Sequence, residues 1–155
     1  VWIPKPGSQE KRPLGILTIA DRALQALAKL ALEPEWEARF EPHSYGFRPG
    51  RSVHDAITAI KSDIKQKAKY VLDADICKCI DRIDHEVLLR KVNTFPTMRR
   101  QIAAWLKAGV IDGKRRIATE EGTQQGGVIS PLLANIALHG LESLIIQSFP
   151  KIPCY

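Results

Sequence analysis

Four carboxylate side chains fall within twelve residues: Asp73, Asp75, Asp81 and Asp84. The first two alternate with apolar residues in the segment Tyr70 to Ile76, and this pattern predicts a β-strand with both carboxylates on one face. A strand that ends with an aspartate facing a cleft commonly holds Mg²⁺, because hard cations prefer carboxylate and carbonyl oxygens. The alternative is structural: Asp81 and Asp84 cap the following helix, and Asp73 is paired at the surface.

A glycine-bearing loop runs from Gly122 to Gly127. Its glycines would allow backbone N–H groups to approach a nucleotide, and Gln125 can hydrogen-bond a sugar or a base. Glycine loops before helices are also common as simple turns, so the loop alone leaves both interpretations open.

Cationic side chains are clustered. The loop from Lys5 to Arg12 suits a triphosphate, because arginine makes bidentate contacts and lysine acts as a point charge. A solvated hairpin explains the same loop equally well. The other clusters are Arg48 with Arg51, and the run Lys114, Arg115 and Arg116. A net charge of +6 permits a polyanionic partner without requiring one.

The elements that position these residues are predicted from caps and apolar spacing. A capping box at Thr18 and Asp21 begins a helix that Pro34 interrupts or kinks, and a second box at Ser52 and Asp55 begins another. Their predicted apolar faces are Leu24, Leu27, Ala28, Ala31 and Leu32 in the first, and Ala56, Ile57 and Ile60 in the second. Further helices are predicted at Glu86 to Val92, Thr97 to Lys107 (with Gly109 as its C-terminal cap) and Leu132 to about Gln147 (with Ser130 as its capping residue).

A hairpin turn is predicted at Ile111 to Lys114. Because helices and antiparallel strands occur without βαβ alternation, the predicted class is α+β. No apolar run reaches the roughly 20 residues that span a bilayer, and the first residues are not a signal peptide, so we expect a cytoplasmic or organellar protein. The missing initiator Met indicates truncation or processing. We interpret Cys77, Cys79 and Cys154 as reduced packing residues, since C-x-C without a second pair makes a poor zinc site.

Four sequence blocks occur in the order and spacing of group II intron reverse transcriptases. The string VWIPKPGSQEKRPLGILTIADRALQ resembles the first fingers block, and SYGFRPGRSVHDAI the block that follows it. YVLDADICKCIDRIDHEVLL is similar to the palm strand with the first metal-binding aspartate, and GTQQGGVISPLLANIALHGLE to the nucleotide-pocket loop and its helix. The resemblance implies a partial right-hand polymerase, with fingers at about 1–69 and the start of the palm at about 70–155.

The resemblance also implies an activity, the copying of RNA into DNA by two-metal phosphoryl transfer with Mg²⁺. Asp75 would be the first metal ligand and the Ile76 carbonyl the second. The implied nucleotide contacts are Lys5 and Arg12 to the triphosphate, and Gln125 with the Gly126 and Gly127 backbone to the sugar. The implied partners are template or intron RNA, primer DNA and a dNTP. Arg48 and Arg51 look like members of the block that tracks RNA; alternatively, they only brace the loop from Ser44 to Ser52. The clustered cations Lys114, Arg115 and Arg116 are a further expected RNA contact, because clustered positive charge neutralises phosphates.

The sequence departs from the family in three places. The sugar-gate positions hold Cys79 and Ile80, where the family usually has Phe at the second. Gln124 replaces the usual Pro, which is expected to loosen the loop. No Tyr-x-Asp-Asp occurs, so we expect the 155 residues to be a fragment that does not polymerise alone. An RNA-binding, maturase-like module and a decayed remnant are the alternatives.

Overall fold

The computed structural model describes residues 2–4, 7, 9, 11–66, 71–112 and 115–149, with backbone only at 2, 11–13, 66, 112, 115 and 116. The described strands are β1 Trp2–Pro4, β2 Lys11–Pro13, β3 Val110–Asp112 and β4 Arg115–Ile117. The described α-helices are α1 Ile19–Glu37, α2 Val53–Gln66, α3 His85–Val92, α4 Pro96–Leu106, α5 Ser130–Leu138 and α6 Leu141–Ser148, and Ile80–Arg82 forms a 3-10 helix. This mixture confirms the predicted α+β class.

The described strands form two separate antiparallel hairpins, β1 with β2 and β3 with β4. In the second hairpin Asp112 is paired with Arg115, which leaves two residues of sequence between the strands. Antiparallel strands with so short a connection form a β-hairpin, so the hairpin turn predicted at Ile111 to Lys114 is confirmed. Gly113 and Lys114 themselves lie outside the described residues.

The strand predicted over Tyr70 to Ile76 is wrong in its described part, residues 71–76, which are not in a strand. Leu72 and Ile76 are 82% and 49% exposed, so the apolar side of the alternation is not buried. A strand is stable when its N–H and C=O groups pair with a neighbouring strand, and none of the described strands pairs with this segment. Tyr70 lies outside the described residues.

Helix α1 begins at its predicted cap, where the Asp21 backbone N–H donates to Thr18 Oγ1 at 3.1 Å. Its buried face agrees with the prediction only in part: Ala28 and Leu32 are buried as predicted, together with Gln25 and Trp36, whereas Leu24, Leu27 and Ala31 are exposed. The two faces have similar helical spacing, and packing against α5 selects the one that carries a glutamine. Pro34 lies inside the helix, which ends three residues later at Glu37.

Helix α2 begins at the second predicted capping box. The Ser52 backbone N–H donates to Asp55 Oδ2 at 2.8 Å, and the Asp55 N–H donates to Ser52 Oγ at 3.3 Å. The predicted apolar face is not buried in the described structure, because Ile57 and Ile60 are 44% and 56% exposed. Local hydrogen bonding therefore determines where this helix begins, as the sequence predicts, but its apolar side chains do not enter the described core.

The core forms where α3, α4 and α5 meet the second half of α1. Its most enclosed side chains are Leu88, Ile102, Ile129, Leu133 and Ile136. Helices α3 and α4 lie within about one residue of their predicted bounds, and Gly109 adopts the expected positive φ of 78° after α4. Since α3 follows the aspartate segment and α5 follows the glycine loop, the core fixes both sides of the candidate site.

The last predicted helix, Leu132 to about Gln147, is divided into α5 and α6. Gly140, between them, has a φ of 94°, and its N–H donates to Glu41 Oε1 at 2.7 Å. The break thus depends on a partner distant in sequence. Ser130 is the first residue of α5 rather than its cap, and its hydroxyl donates to the Gln124 carbonyl at 2.8 Å.

Candidate active site

The glycine loop lies directly against the segment that follows Asp75. The Thr123 N–H donates to the Ile80 carbonyl at 2.9 Å, and the Gly122 N–H donates to the Ile83 carbonyl at 2.8 Å. These two hydrogen bonds join residues about 40 positions apart in the chain. The structure therefore brings together two of the predicted site segments.

Two glycines make this close approach possible. Gly122 has a φ of 82°, and a Cβ there would lie 2.7 Å from the Asp81 main-chain carbonyl. Gly126 has a φ of 100°, and its Cβ would lie 2.7 Å from the Gly15 carbonyl oxygen. Any other side chain would be both strained and in collision with backbone at these positions.

Gln125 is the residue at which three segments meet. Its main-chain carbonyl accepts a hydrogen bond from the Gly15 N–H at 2.8 Å. Its side-chain Nε2 donates to Asp81 Oδ1 at 3.0 Å, and the glutamine is only partly buried. The predicted sugar-pocket residue is thus tied to the segment after β2 through its backbone and to the 3-10 helix through its amide.

Two buried polar side chains, His85 and Gln25, hydrogen-bond the backbone at either end of the segment that contains the glycine loop. Neither is predicted from the sequence. His85 Nε2 lies 2.7 Å from the Gly122 carbonyl, and because a carbonyl only accepts, this nitrogen carries the proton. Gln25 Oε1 accepts from the Ile129 N–H at 3.4 Å. The only sequence signal for Gln25 is a polar residue between apolar positions in a helix, which is equally typical of a solvent-facing side chain.

Gln124, which replaces the proline usual in the family, makes hydrogen bonds through both its side chain and its main chain. Its Nε2 donates to the Gly109 carbonyl at 3.3 Å. Its own carbonyl accepts from Ser130 Oγ at 2.8 Å and from the Gly127 N–H at 3.2 Å. Of these, only the bond to Gly109 depends on the glutamine side chain, since a proline at 124 has the same main-chain carbonyl. The expected loosening of the loop stays a prediction.

Asp75 and Ile76 lie in the exposed segment. The Ile76 carbonyl accepts the Cys79 N–H at 3.2 Å, which leaves its second lone pair for another partner. A carboxylate and a carbonyl are the donor types that Mg²⁺ prefers. Across the described part of the chain, however, no group of three or more His, Cys, Asp or Glu side chains is arranged to hold a metal ion. The donors present fit the ion in type but are too few to enclose it.

The other two aspartates have different roles. Asp84 caps α3, since its Oδ1 accepts the Val87 N–H at 2.8 Å, as the structural alternative predicts. Asp81 is not a cap of that helix; it lies within the 3-10 helix and accepts from Gln125.

The thiols lie beside a cavity of about 370 Å³ between the Asp75 segment, α3 and the end of α5. Cys77 and Cys79 both line it, and neither is in a disulfide. Cys79 is partly buried, but Cys77 is exposed, so the interpretation of Cys77 as a packing residue is wrong. Cys154 lies outside the described residues.

Lys91 closes the far side of this cavity. Its Nζ donates to the Ala137 carbonyl in the last turn of α5 at 2.8 Å, and also to the carbonyl of His139, which follows the helix. Burial lowers the pKa of Lys91 below its ordinary value, and the nearby carboxylate of Glu41 opposes that shift. A cation at a helix C-terminus is favourable, so Lys91 stabilises the end of α5.

The predicted cations are placed very differently. Arg48 is buried, and it uses four guanidinium N–H groups, one on Nε, two on Nη1 and one on Nη2, for Glu37 and for main-chain carbonyls. Arg51 is exposed; its Nη1 donates to the Pro42 carbonyl at 3.1 Å, and its guanidinium lies over the Tyr45 ring.

The remaining predicted cations are not described at the level of their side chains. Lys5 and Lys114 lie outside the described residues. Arg12 is in β2, and Arg115 and Arg116 are in β4, but their side chains lie outside the described part.

None of the helices in the described ranges combines the length and the apolar character that crossing a membrane requires.

Comparison with known proteins adds sequence relationships to this geometry. Residues 3–155 match the family described as "Reverse transcriptase (RNA-dependent DNA polymerase)". The Group II intron-encoded protein LtrA of Lactococcus lactis subsp. cremoris is 40% identical over 150 residues, which are 95% of this chain and 25% of LtrA. Protein YkfC of Escherichia coli K12 is 38% identical over 156 residues, covering 96% of this chain and 41% of YkfC.

A plant relative shows the same relationship over a shorter stretch. Nuclear intron maturase 1, mitochondrial, of Arabidopsis thaliana is 37% identical over 71 residues, which are 44% of this chain and 10% of that protein. The chain therefore spans a quarter of the length of LtrA and about two fifths of YkfC.

Proposed function

The chain belongs to the reverse transcriptase family and, within it, to the group II intron type, and on that premise we propose that it supplies the fingers, the first part of a right-hand palm and the nucleotide pocket of an RNA-directed DNA polymerase. The observation that carries this proposal is the contact between the glycine loop and the segment after Asp75. Hydrogen bonds from Thr123 to Ile80 and from Gly122 to Ile83 join the two. Because Ile80 follows Asp75 by only five residues, we propose that a nucleotide held by the loop lies near the carboxylate that we assign to the metal.

Asp75 and the Ile76 carbonyl are the proposed ligands of Mg²⁺. Mg²⁺ keeps several waters and is typically bound by one or two carboxylates together with substrate phosphates, so this small donor set suits an ion that arrives with a nucleotide. When bound, the two ions of such a site supply activation of the primer hydroxyl and charge stabilisation during phosphoryl transfer.

The nucleotide contacts are proposed from the other blocks. Lys5 and Arg12 are assigned to the triphosphate, because paired cations suit its charge. Gln125 and the backbone of Gly126 are assigned to the sugar, and the partial exposure of Gln125 leaves its amide accessible. Two-metal transfer needs more carboxylate than Asp75 supplies, and these 155 residues contain no Asp-Asp pair. We therefore assign to the chain the binding of nucleotide and ion, rather than the whole reaction.

The proposed macromolecular partners are a template or intron RNA and a DNA primer. Of the two arginines in the second fingers block, Arg51 is the better candidate for RNA contact because it is exposed, whereas Arg48 is committed to the protein interior. The run Lys114, Arg115 and Arg116 is retained as a further proposed RNA contact.

The ion assignment is tested with two matched variants. Asp75→Asn and Asp73→Asn each remove one negative charge from the same exposed segment. We expect Asp75→Asn to weaken binding of Mn²⁺, followed by electron paramagnetic resonance, and of dTTP with Mg²⁺, followed by calorimetry, while Asp73→Asn leaves both unchanged. Equal losses in the two variants would mean that only the general charge of the segment matters, and the assignment would be overturned.

A further inference from the structure

We propose that Asp81 is a positioning residue for Gln125, and that it fixes which end of the glutamine amide faces the nucleotide sugar. This inference rests on the proposed function, since it concerns the same pocket. The observation is the hydrogen bond from Gln125 Nε2 to Asp81 Oδ1 at 3.0 Å, between residues 44 apart in the sequence.

The chemistry of the pair determines the orientation of the amide. An ionised carboxylate only accepts hydrogen bonds, whereas an amide side chain offers a donor NH₂ at one end and an acceptor oxygen at the other. The Nε2 end of Gln125 must therefore face Asp81, and Oε1 points away from it. A glutamine held in this way presents an acceptor, and the only hydroxyl donor on the sugar of a dNTP is its 3′-hydroxyl.

The position of Asp81 is itself fixed by the backbone. Its N–H donates to the Lys78 carbonyl at 3.0 Å, and its main-chain carbonyl carbon would lie 2.7 Å from a Cβ at Gly122. On either side, Ile80 and Ile83 accept hydrogen bonds from the glycine loop. The carboxylate is therefore attached to a segment that cannot move independently of the loop that carries Gln125.

The 3-10 helix thus has two functions toward the loop. Its main chain holds the loop, through contacts that survive any change of the Asp81 side chain. The side chain alone restrains the amide, and because Asp81 is exposed, its removal has little effect on packing. This separation makes orientation measurable apart from stability.

The readout is the preference of the protein for dTTP over dideoxy-TTP, which lacks the 3′-hydroxyl. We measure both affinities by calorimetry with Mg²⁺, for the parent, Gln125→Ala, Asp81→Leu and the double variant. In each single variant we expect the ratio of dTTP affinity to dideoxy-TTP affinity to fall by roughly three- to tenfold, the contribution of one hydrogen bond. The double variant should show no larger fall than Gln125→Ala alone, because both changes remove the same interaction. Glu121→Leu, which removes an exposed carboxylate beside the same loop, is the matched control and keeps the preference.

A swapped pair separates orientation from simple loss of structure. Gln125→Glu places two carboxylates together and should abolish the preference, whereas Asp81→Asn combined with Gln125→Glu restores a donor and an acceptor, so the side chain at 125 is again held with an oxygen toward the sugar. We expect partial recovery of the preference in the swapped protein. If Asp81→Leu melts at a lower temperature than the parent, the swapped pair decides the question.

The outcomes distinguish this inference from the proposal on which it rests. If the parent binds neither nucleotide, or if Gln125→Ala leaves the preference intact, the assignment of Gln125 to the sugar fails. If Gln125→Ala loses the preference for dTTP but Asp81→Leu keeps it, the pocket assignment stands and the positioning role of Asp81 is overturned. The same conclusion follows if the double variant loses the sum of what the two single variants lose.

Discussion

Arg48 and Glu37 form a two-point ion pair, in which Nη2 lies 2.9 Å from Oε2 and Nε lies 3.2 Å from Oε1. The arginine side chain is 4% exposed, and its Nη1 also donates to the Glu41 and Ser44 carbonyls at 2.8 Å each. Its guanidinium lies over the Phe40 ring, 5.2 Å from the centroid. These contacts connect the end of α1 to the loop that follows it, and they support the bracing role over RNA contact for Arg48.

Replacing Arg48 by methionine should therefore reduce stability. The change leaves the Glu37 carboxylate and two carbonyls without their donor, and we expect a loss of about 3 kcal/mol in the free energy of unfolding, at the low end for a broken buried pair because Glu37 is 23% exposed. Urea denaturation measures the change. Arg51→Met is the matched control, with an expected loss below about 1 kcal/mol because Arg51 is exposed.

The same two variants separate bracing from RNA contact. In a salt-titrated RNA-binding assay, Arg51→Met should flatten the slope of log affinity against log salt by about one unit, as for one lost phosphate contact. Arg48→Met should leave that slope unchanged as long as the protein is folded. A flattened slope in Arg48→Met with undiminished stability would show that Arg48 contacts phosphate and does not brace the loop.

His85 is predicted to control the mobility of the glycine loop. His85→Leu removes the buried hydrogen bond to the Gly122 carbonyl, and we expect a loss of about 1–3 kcal/mol together with faster amide hydrogen exchange in the loop. The Thr123 amide reports the effect, because its hydrogen bond to Ile80 depends on the loop staying in place. His54→Leu, at an exposed position of α2, is the control and should leave both measurements unchanged. Unaltered exchange at Thr123 in His85→Leu would mean that the backbone hydrogen bonds hold the loop without the histidine.

Predictions from the sequence succeed where neighbouring residues determine the structure. Thr18 with Asp21, and Ser52 with Asp55, form their hydrogen bonds within one helical turn, so both helix starts are confirmed. The break at Gly140 is not predicted, because the acceptor of its N–H is Glu41, 99 residues away. The same distinction explains why the strand predicted at Asp75 is not observed, since a strand requires a partner that its own residues do not specify.

The candidate site shows the same limit. The glycine loop is visible as a motif, because its backbone conformation requires glycine at Gly122 and Gly126. The residues that hold it, Gln25 and His85, are ordinary helix positions in the sequence and become recognisable only when α1 and α3 pack beside the loop. Binding of the ion by Asp75 is a prediction that the Asp75→Asn variant tests, and binding of the triphosphate by Lys5 and Arg12 stays a prediction.

Acid should weaken the start of α2 through Asp55. The pKa of Asp55 is lowered from its ordinary value of 3.8, chiefly by the side-chain hydrogen bond from Ser52 and then by the backbone N–H of Ser52. Because the folded-state pKa lies below the unfolded one, the contribution to stability is fully present above pH 3.8 and is lost as the pH falls through the lowered pKa.

This prediction is checked by following the Asp55 carboxyl carbon and the Ser52 amide by nuclear magnetic resonance as the pH is lowered. Ser52→Ala is the matched variant, since it removes the hydroxyl donor but retains the backbone N–H. We expect the Asp55 midpoint to rise toward the ordinary value in Ser52→Ala. Identical midpoints in the two proteins would show that the hydroxyl does not hold the carboxylate.

The side chains at positions 79 and 80 should affect sugar selectivity, the preference for a deoxyribonucleotide over a ribonucleotide. Cys79 and Ile80, the two proposed gate positions, are partly buried. The Ile80 carbonyl accepts the Thr123 N–H, so this residue lies where the glycine loop meets the 3-10 helix. An isoleucine side chain is smaller than a phenyl ring and would leave room for a 2′-hydroxyl at such a gate, so we expect the parent to bind ATP and dATP with similar affinity in the presence of Mg²⁺. Ile80→Phe should weaken ATP relative to dATP by roughly tenfold, the scale on which a small steric change is read in an apolar pocket. Calorimetric titration of both nucleotides gives the ratio, and Cys79→Phe tests the neighbouring gate position with the same ring. If Cys79→Phe changes the ratio of ATP to dATP affinity and Ile80→Phe does not, the gate lies at the cysteine. If neither variant changes the ratio, this turn does not discriminate between ribose and deoxyribose.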